Sequence, residues 1–339
     1  MAPTTGTAAR RRADVLRSMV TTAVLAVCAT LPGSVAAPAA PPTPGRLTAA
    51  PHPAAAVGAA PCPTTMNVVA HQDDDLLFIN PDISGDIADG RCVVTVFATA
   101  GDAGRSSIYW RGREAGAMAA YATMAGVPNL WTAGTVTVEG HTLTTMSLDG
   151  ARIRLVFMRL PDGHGYAVTG YETLHRLWAG TLPVIHAVDS SASYTRSSLT
   201  ATLTALMDTY RPGVIRTLNY RGPYQDGDHG DHHSAAYFTY AAHQDFHAAH
   251  RIHAYLGYQI SRLPANLGDD TGDLKLRSFL SYGAHDAHVC RTRSTCLTDS
   301  YARYFSRRYV VESDPGGGPA PAAAHPAAAA GADHPAASG

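Results

Sequence analysis

Apolar residues gather in short runs with few polar interruptions: Met66 to Ala70, Cys92 to Ala98, Ile153 to Met158 and Val214 to Leu218. Runs of this length, bounded by turn residues, predict strands buried on both faces. Between them the spacing becomes helical. Ala117, Ala120, Tyr121 and Met124 share one face of a helix predicted over 108–124,. A second helix is predicted over 197–210, stopped by Pro212, and a third over 231–248. Residues 135–158 broadly alternate, with turn signals at Glu139-Gly140 and Asp149-Gly150, which predicts hairpin strands followed by a core strand,. A short helix through Leu76 to Ile79, a late strand over 252–260 and a last helix over 300–309 complete the pattern. Strands alternating with helices predict an α/β fold whose sheet is covered on both faces.

Composition narrows the folded part. Residues 1–60 and 313–339 are mostly Ala, Pro, Gly and Thr, so one domain is expected over 63–312, with a linker over 40–62 and a disordered tail over 313–339,. With 26 basic and 27 acidic residues, the chain shows no electrostatic footprint for nucleic acid or an anionic membrane,. No apolar run reaches the ~20 residues of a transmembrane helix. Arg10, Arg11, Arg12 and Arg17 precede an apolar stretch from Met19 to Leu31, and Ala37-Pro38-Ala39 follows. That order predicts a signal peptide over 1–39 and a secreted protein. Of the five cysteines, Cys28 would leave with the signal; the other four contain no C-x-x-C pair and predict disulfides, with three pairings open,.

Two clusters carry the candidate chemistry. His71-Gln72-Asp73-Asp74-Asp75 follows the first strand directly, where α/β sheets bind ligands,. Asp226-Gly227-Asp228-His229-Gly230-Asp231-His232-His233 follows the strand ending near Leu218 and opens a helix. Imidazole and carboxylate are good zinc ligands, and His229 and His232, three apart, can face one side of a helix start. His233 points elsewhere and reads as a surface or supporting histidine. His243, His247 and His250 form a stripe that reads as a solvated helix face.

Ala70-His71-Gln72-Asp73-Asp74-Asp75 resembles the Ala-His-Pro-Asp-Asp-Glu signature of PIG-L/LmbE-like deacetylases, and His229-Gly230-Asp231-His232 resembles their downstream His-Pro-Asp-His. Thr99-Ala100-Gly101, Arg111 with Glu114, and Leu160-Pro161-Asp162-Gly163 follow the family order. The resemblance covers Met66 to the helix after His233 and is weaker beyond Tyr258. Gln72, Asp75 and Gly230 depart from the signature: two loop-shaping prolines are lost, and one carboxylate is a methylene shorter.

The resemblance implies a three-layer Rossmann-like fold with a mainly parallel sheet. It also implies a zinc-dependent deacetylase acting on N-acetylated sugars or glycoconjugates. His71, Asp74 and His232 would hold one divalent ion, zinc or iron. Asp73 would be the general base, His229 would support the oxyanion, and Asp231 would fix the tautomer of His229. Arg111, Arg113 and Asp162 would contact the sugar. Tyr220, Arg221, Tyr224, Asp226 and Asp228 have the residue mix of a sugar platform, a plain glycine-rich turn being the alternative. No protein partner is implied. Two rivals remain: a zinc amidase on a non-sugar amide, and a carbohydrate-binding module on a deacetylase scaffold, against which the retained Asp73 argues. In a parallel sheet the starts of the first two strands lie side by side, so Cys62–Cys92 and Cys290–Cys296 are the expected disulfides.

Overall fold

Strands covered on both faces cannot alternate polar and apolar residues, and the apolar runs at 66–70, 92–98, 153–158 and 214–218 do not,. The computed structural model describes residues 62–163 and 171–316. The expected signal peptide, most of the 40–62 linker and the tail beyond Gly316 lie outside the described residues. The chain divides into Met1–Ala56 and Val57–Gly339, and the elements below belong to the second unit. In chain order they are β1 (Thr64–Val69), a π-helical turn (Asp75–Ile79), α1 (Asp82–Ala88), β2 (Cys92–Thr99), α2 (Ser107–Ala125), β3 (Trp131–Val138), β4 (His141–Leu148) and β5 (Ile153–Leu160). There follow α3 (Leu174–Trp178), β6 (Ile185–His186), β7 (Ser193–Tyr194), α4 (Arg196–Tyr210), β8 (Val214–Leu218) and α5 (Gly230–Asp245). The chain continues through β9 (His250–Tyr255), a 3-10 turn (Tyr258–Arg262), α6 (Asp269–Gly283), α7 (Arg293–Thr298), α8 (Ala302–Phe305) and β10 (Val310–Gly316).

Eight strands form one sheet in the order β10-β9-β8-β1-β2-β5-β4-β3. The five central strands, β9 to β5, run parallel, and β10, β4 and β3 join antiparallel. The α/β, mainly parallel architecture expected from the sequence is the observed one. From β1 the chain winds first to β2 and β5, then crosses back to β8 and β9 on the other side. The carboxyl ends of β1 and β8 therefore flank a topological switch point, where such sheets open a crevice. Helices α1, α2 and α6 pack as one group, and α3, α4 and α5 as another.

Cys62 pairs with Cys92 and Cys290 with Cys296, at Cα separations of 5.6 and 5.0 Å. The first pair reflects the register, which sets Thr64 beside Cys92.

Several expectations need correction. The strand predicted over 252–260 ends at Tyr255 and gives way to the 3-10 turn. The helix predicted over 300–309 shrinks to Ala302–Phe305. Residues 313–316, assigned to the tail, pair instead with His250–His253 of β9, so the folded domain runs past 312. An edge strand tolerates their polar, Pro-containing composition because one side of its backbone needs no partner. Helix α6 was not anticipated, since its buried residues include the charged Lys275. His250 lies in β9, and both it and His243 are buried, with His243 Nδ1 2.5 Å from His250 Nε2. They are no solvated stripe.

Lys275, the only lysine in the chain, is fully buried. Its amine donates to the carbonyls of Leu77, Tyr304 and Arg307 at 2.8, 2.9 and 2.7 Å. It thereby ties α6 to the turn that follows the first cluster. Lys275→Met should leave three buried carbonyls unmet, at a cost of about 3 kcal/mol or more, or roughly 6–12 °C in Tm. Thermal unfolding by circular dichroism checks this, and a drop below about 2 °C would show that the carbonyls find other partners.

Candidate active site

Every strand that ends at the crevice contributes a polar loop. β1 leads into His71–Asp75, β2 into Asp102, β5 into Asp162-Gly163, and β8 into the loop ending at His229. All of these residues except His229 are buried or nearly so, and His229 is half-buried. Because β1 and β8 are hydrogen-bonded neighbours, two clusters about 150 positions apart in sequence meet over one pair of strand ends.

One ring nitrogen from each of His71, His229 and His232 lies within 4.8 Å of the others, and so do donor atoms of His71, Asp162, His229 and Asp231. Asp74 lies between two of these histidines, with Oδ1 2.9 Å from His232 Nε2 and 3.3 Å from His71 Nδ1. Its second oxygen accepts the His71 backbone N–H at 2.7 Å. His232 is completely buried, and its Nε2 meets Asp74 without hydrogen-bond geometry; buried His71 Nε2 likewise faces Asp231 and Asp162 at 3.5 and 3.7 Å without a hydrogen bond. Buried imidazole nitrogens that face carboxylate oxygens without a good hydrogen bond are an expensive arrangement for packing alone. They suit a divalent cation with nitrogen and oxygen ligands.

The electrostatics agree. Burial opposes charge on both His232 and Asp74, but their proximity outweighs it. Asp74 and Asp228 push His232 up to about 10, and His232 and His71 hold Asp74 well below the usual carboxylate range. A cation held here must displace imidazole protons, so uptake should release protons and weaken as pH falls.

His229 caps α5, its Nδ1 accepting the Asp231 backbone N–H at 3.1 Å. The neutral ring must then carry its proton on Nε2, which lies 3.9 Å from Asp162 Oδ1. Burial, with His71 nearby, drives His229 down to about 4, so the ring is neutral near pH 7. The tautomer is thus set by the Asp231 backbone. The Asp231 carboxylate turns the other way: it accepts Gly163 N–H at 2.6 Å and lies 3.5 Å from His71 Nε2. Gly163 is required here, because a Cβ would sit 2.6 Å from Asp231 Oδ1.

Asp73 stands apart from the histidine nitrogens. Arg113 Nη2 donates to its Oδ1 at 2.5 Å, while Nη1 reaches Gly101 O at 2.9 Å and Nε reaches Tyr282 Oη at 2.7 Å. Tyr282 in turn donates to Asp286 at 2.7 Å. Burial raises the Asp73 pKa, and Arg113 opposes that rise.

The candidate sugar contacts fare unevenly. Asp162 joins the cluster, its backbone N–H held by Asp102 Oδ1 at 2.8 Å. Arg113 is buried with all three guanidinium nitrogens taken by the protein, so it grips Asp73 and not a ligand. Arg111 is exposed, its guanidinium over the Trp110 ring, and Glu114 pairs with Arg159 at 2.7 and 3.0 Å. Tyr220 is buried and stacked on Tyr240 with ring centroids 4.2 Å apart. Tyr224 packs 4.1 Å from His175, its hydroxyl 2.9 Å from Ser234 Oγ. Neither tyrosine forms an open platform. His233 is fully buried, between Asn219 O at 3.1 Å and Asp226 Oδ1 at 2.9 Å.

Three residues at the site were not given their roles by the sequence. Asp228 accepts from His232 Nδ1 at 2.7 Å, and its i,i+4 spacing to His232 was a usable signal. Asp102 holds the Asp162 loop, and Tyr282 comes from the unanticipated α6.

A buried cluster of histidines and carboxylates beyond the carboxyl ends of a parallel sheet is the setting of a hydrolytic site. Residues 66–243 match the PIG-L family, described as GlcNAc-PI de-N-acetylase, and the chain belongs to that family. No curated protein matches it. Among solved structures it is similar to the zinc-inhibited form of teicoplanin deacetylase Orf2, at 15% identity over 65% of this chain and 84% of that one, TM-score 0.37. It is similar also to N,N'-diacetylchitobiose deacetylase from Pyrococcus horikoshii complexed with its inhibitor MPG, at 11% identity over 75% and 84%, TM-score 0.41. The conserved protein TT1542 from Thermus thermophilus is 16% identical over 79% of this chain and 100% of its own, TM-score 0.38.

Proposed function

We propose that the protein is an exported, zinc-dependent hydrolase that removes acetyl groups from N-acetylated sugars or glycoconjugates. The observation that carries this reading is the meeting of His71 and Asp74 with His229 and His232 across β1 and β8, in a member of a de-N-acetylase family. Export rests on the signal-like pattern over 1–39 and on the two cysteine pairs. Among the described residues no helix is long and apolar enough to cross a membrane.

His71, Asp74 and His232 would hold the ion. When bound, it supplies Lewis acidity toward the amide carbonyl and lowers the pKa of water. Asp73 takes the proton of the attacking water and returns it to the nitrogen of the leaving amine, so that amide and water become acetate and free amine. Arg113 orients that carboxylate and opposes the rise in its pKa that burial brings. His229, neutral and protonated on Nε2, donates to the developing oxyanion. Asp228 fixes the ring of His232 from its Nδ1 side,.

Acetate release by the zinc-loaded protein from chitooligosaccharides, N-acetylglucosamine glycosides and acyl peptides tests the reading. Release from the sugars supports it, and release from acyl peptides alone would overturn it in favour of a non-sugar amidase. Asp228→Ala should weaken metal affinity by about 10- to 100-fold, measured by competition with a chelating dye. Unchanged affinity would show that His232 is aimed by other groups.

A further inference from the structure

Arg113 stands near two buried carboxylates and serves one of them. Its Nη2 donates to Asp73 Oδ1 at 2.5 Å. Its Nε lies 3.5 Å from Asp286 Oδ2, too long for a good hydrogen bond,. The Tyr282 hydroxyl fills that interval: it accepts Arg113 Nε–H at 2.7 Å and donates to Asp286 Oδ2 at 2.7 Å. The other oxygen of Asp286 accepts the His288 backbone N–H at 2.9 Å. Arg113, Tyr282 and Asp286 are all buried.

Helix packing places the hydroxyl there. Arg113 lies on α2 between Gly112 and Gly116, and both glycines let α6 approach. A Cβ at Gly116 would come within 2.7 Å of the Tyr282 ring, and one at Gly112 within 2.8 Å of the His285 carbonyl. Helix α6 follows the family-matched residues 66–243 in the chain. A buried guanidinium beside two carboxylates is drawn to both, and its planar fork can bridge them. A phenol hydroxyl has one donor and one acceptor side, so it meets Nε and Asp286 together and leaves Nη2 to Asp73.

We propose that Tyr282 is a positioning residue for the hydrolysis: it keeps the Arg113 guanidinium on Asp73 by standing between that guanidinium and Asp286. The inference rests on the deacetylase reading above, in which Asp73 handles the proton. It adds a residue whose effect reaches the reaction through Arg113.

The test compares zinc-loaded wild type, Tyr282→Phe and Tyr282→Phe/Asp286→Asn. Its readouts are steady-state kinetics on the best acetylated substrate of the panel above, zinc content by mass spectrometry and a crystal structure of each protein. In Tyr282→Phe, Arg113 should turn toward Asp286 and loosen its contact with Asp73. The rate constant kcat should fall about tenfold, with KM within about twofold of wild type and zinc content unchanged. Removing the competing charge in the double variant should return Arg113 to Asp73 and bring kcat to within about threefold of wild type. A purely structural role predicts a further loss at that second substitution, not a recovery.

Arg113 unmoved in the Tyr282→Phe crystal structure overturns the proposal, as does a double variant no more active than the single one. Loss of zinc from Tyr282→Phe assigns the residue to the metal site's architecture and overturns it as well. If Tyr282→Phe does not fold, the double variant decides. Arg113 on Asp73 with near-wild-type kcat supports the proposal, and a tenfold loss of kcat overturns it. A wild type that releases acetate from none of the panel overturns the deacetylase reading. The position of Arg113 in the crystal structures then still decides whether Tyr282 holds it on Asp73.

Discussion

Replacing Asp73 by Asn is expected to lower kcat by about a hundred- to ten-thousandfold while metal content stays unchanged. The carboxylate sits in the cluster but is held by Arg113 at 2.5 Å and not by the histidine nitrogens. An asparagine carbonyl can still accept that hydrogen bond, so the loop should keep its shape. What is lost is the capacity to take a proton from water and deliver it to the amine. Steady-state kinetics on an N-acetylated sugar, paired with zinc analysis, separate the two effects. A fully active variant would remove Asp73 from the mechanism, and a zinc-free one would make it a ligand.

Chelation should abolish activity, and added zinc should restore it. The same treatment of Asp74→Ala should restore nothing. Asp74 Oδ1 contacts both His71 and His232, so its loss removes a donor and the charge that keeps both rings turned inward. The pH dependence has a definite sign. His71 and His232 are both raised above the ordinary histidine range: burial opposes the rise, and the carboxylates, Asp74 foremost, outweigh it. Protons therefore compete with the cation, and apparent affinity should fall as pH falls. Zinc titrations at several pH values with proton release recorded would show this. Affinity independent of pH, or activity surviving exhaustive chelation, would exclude a site built on these imidazoles.

Much of this was legible in the sequence because the signals were local. The apolar runs of β1, β2, β5 and β8 state their burial directly, since a strand covered on two faces cannot carry alternating polar residues. The two polar clusters follow strands, and parallel topology sends both to the same edge of the sheet. Even the cysteine pairing followed, because strand starts are neighbours when strands are. Helix α6 and strand β10 were not legible. A helix that buries a lysine against three carbonyls has no ordinary apolar stripe, and an edge strand containing Ser, Asp and Pro has no strand pattern.

The sequence determined which residue types the site would hold, and tertiary structure decided their partners. Arg113 and Arg111 sit two apart on α2. The helical turn sends one inward to Asp73 and the other out over Trp110, and nothing in the local pattern distinguishes the two guanidinium groups. Tyr220 and Tyr224 occupy the loop beside the second cluster, yet the first is buried and the second half-buried, while Tyr258, from a segment that reads as strand, is exposed next to His232. Asp231 faces His71 because Gly163 of a different loop comes within hydrogen-bonding distance and turns its carboxylate. Residue identity and local periodicity are properties of the chain, whereas a charge or ring is aimed by the atoms packed around it. Those atoms come from strands and helices scores of residues away, so only the folded arrangement can specify where each side chain points.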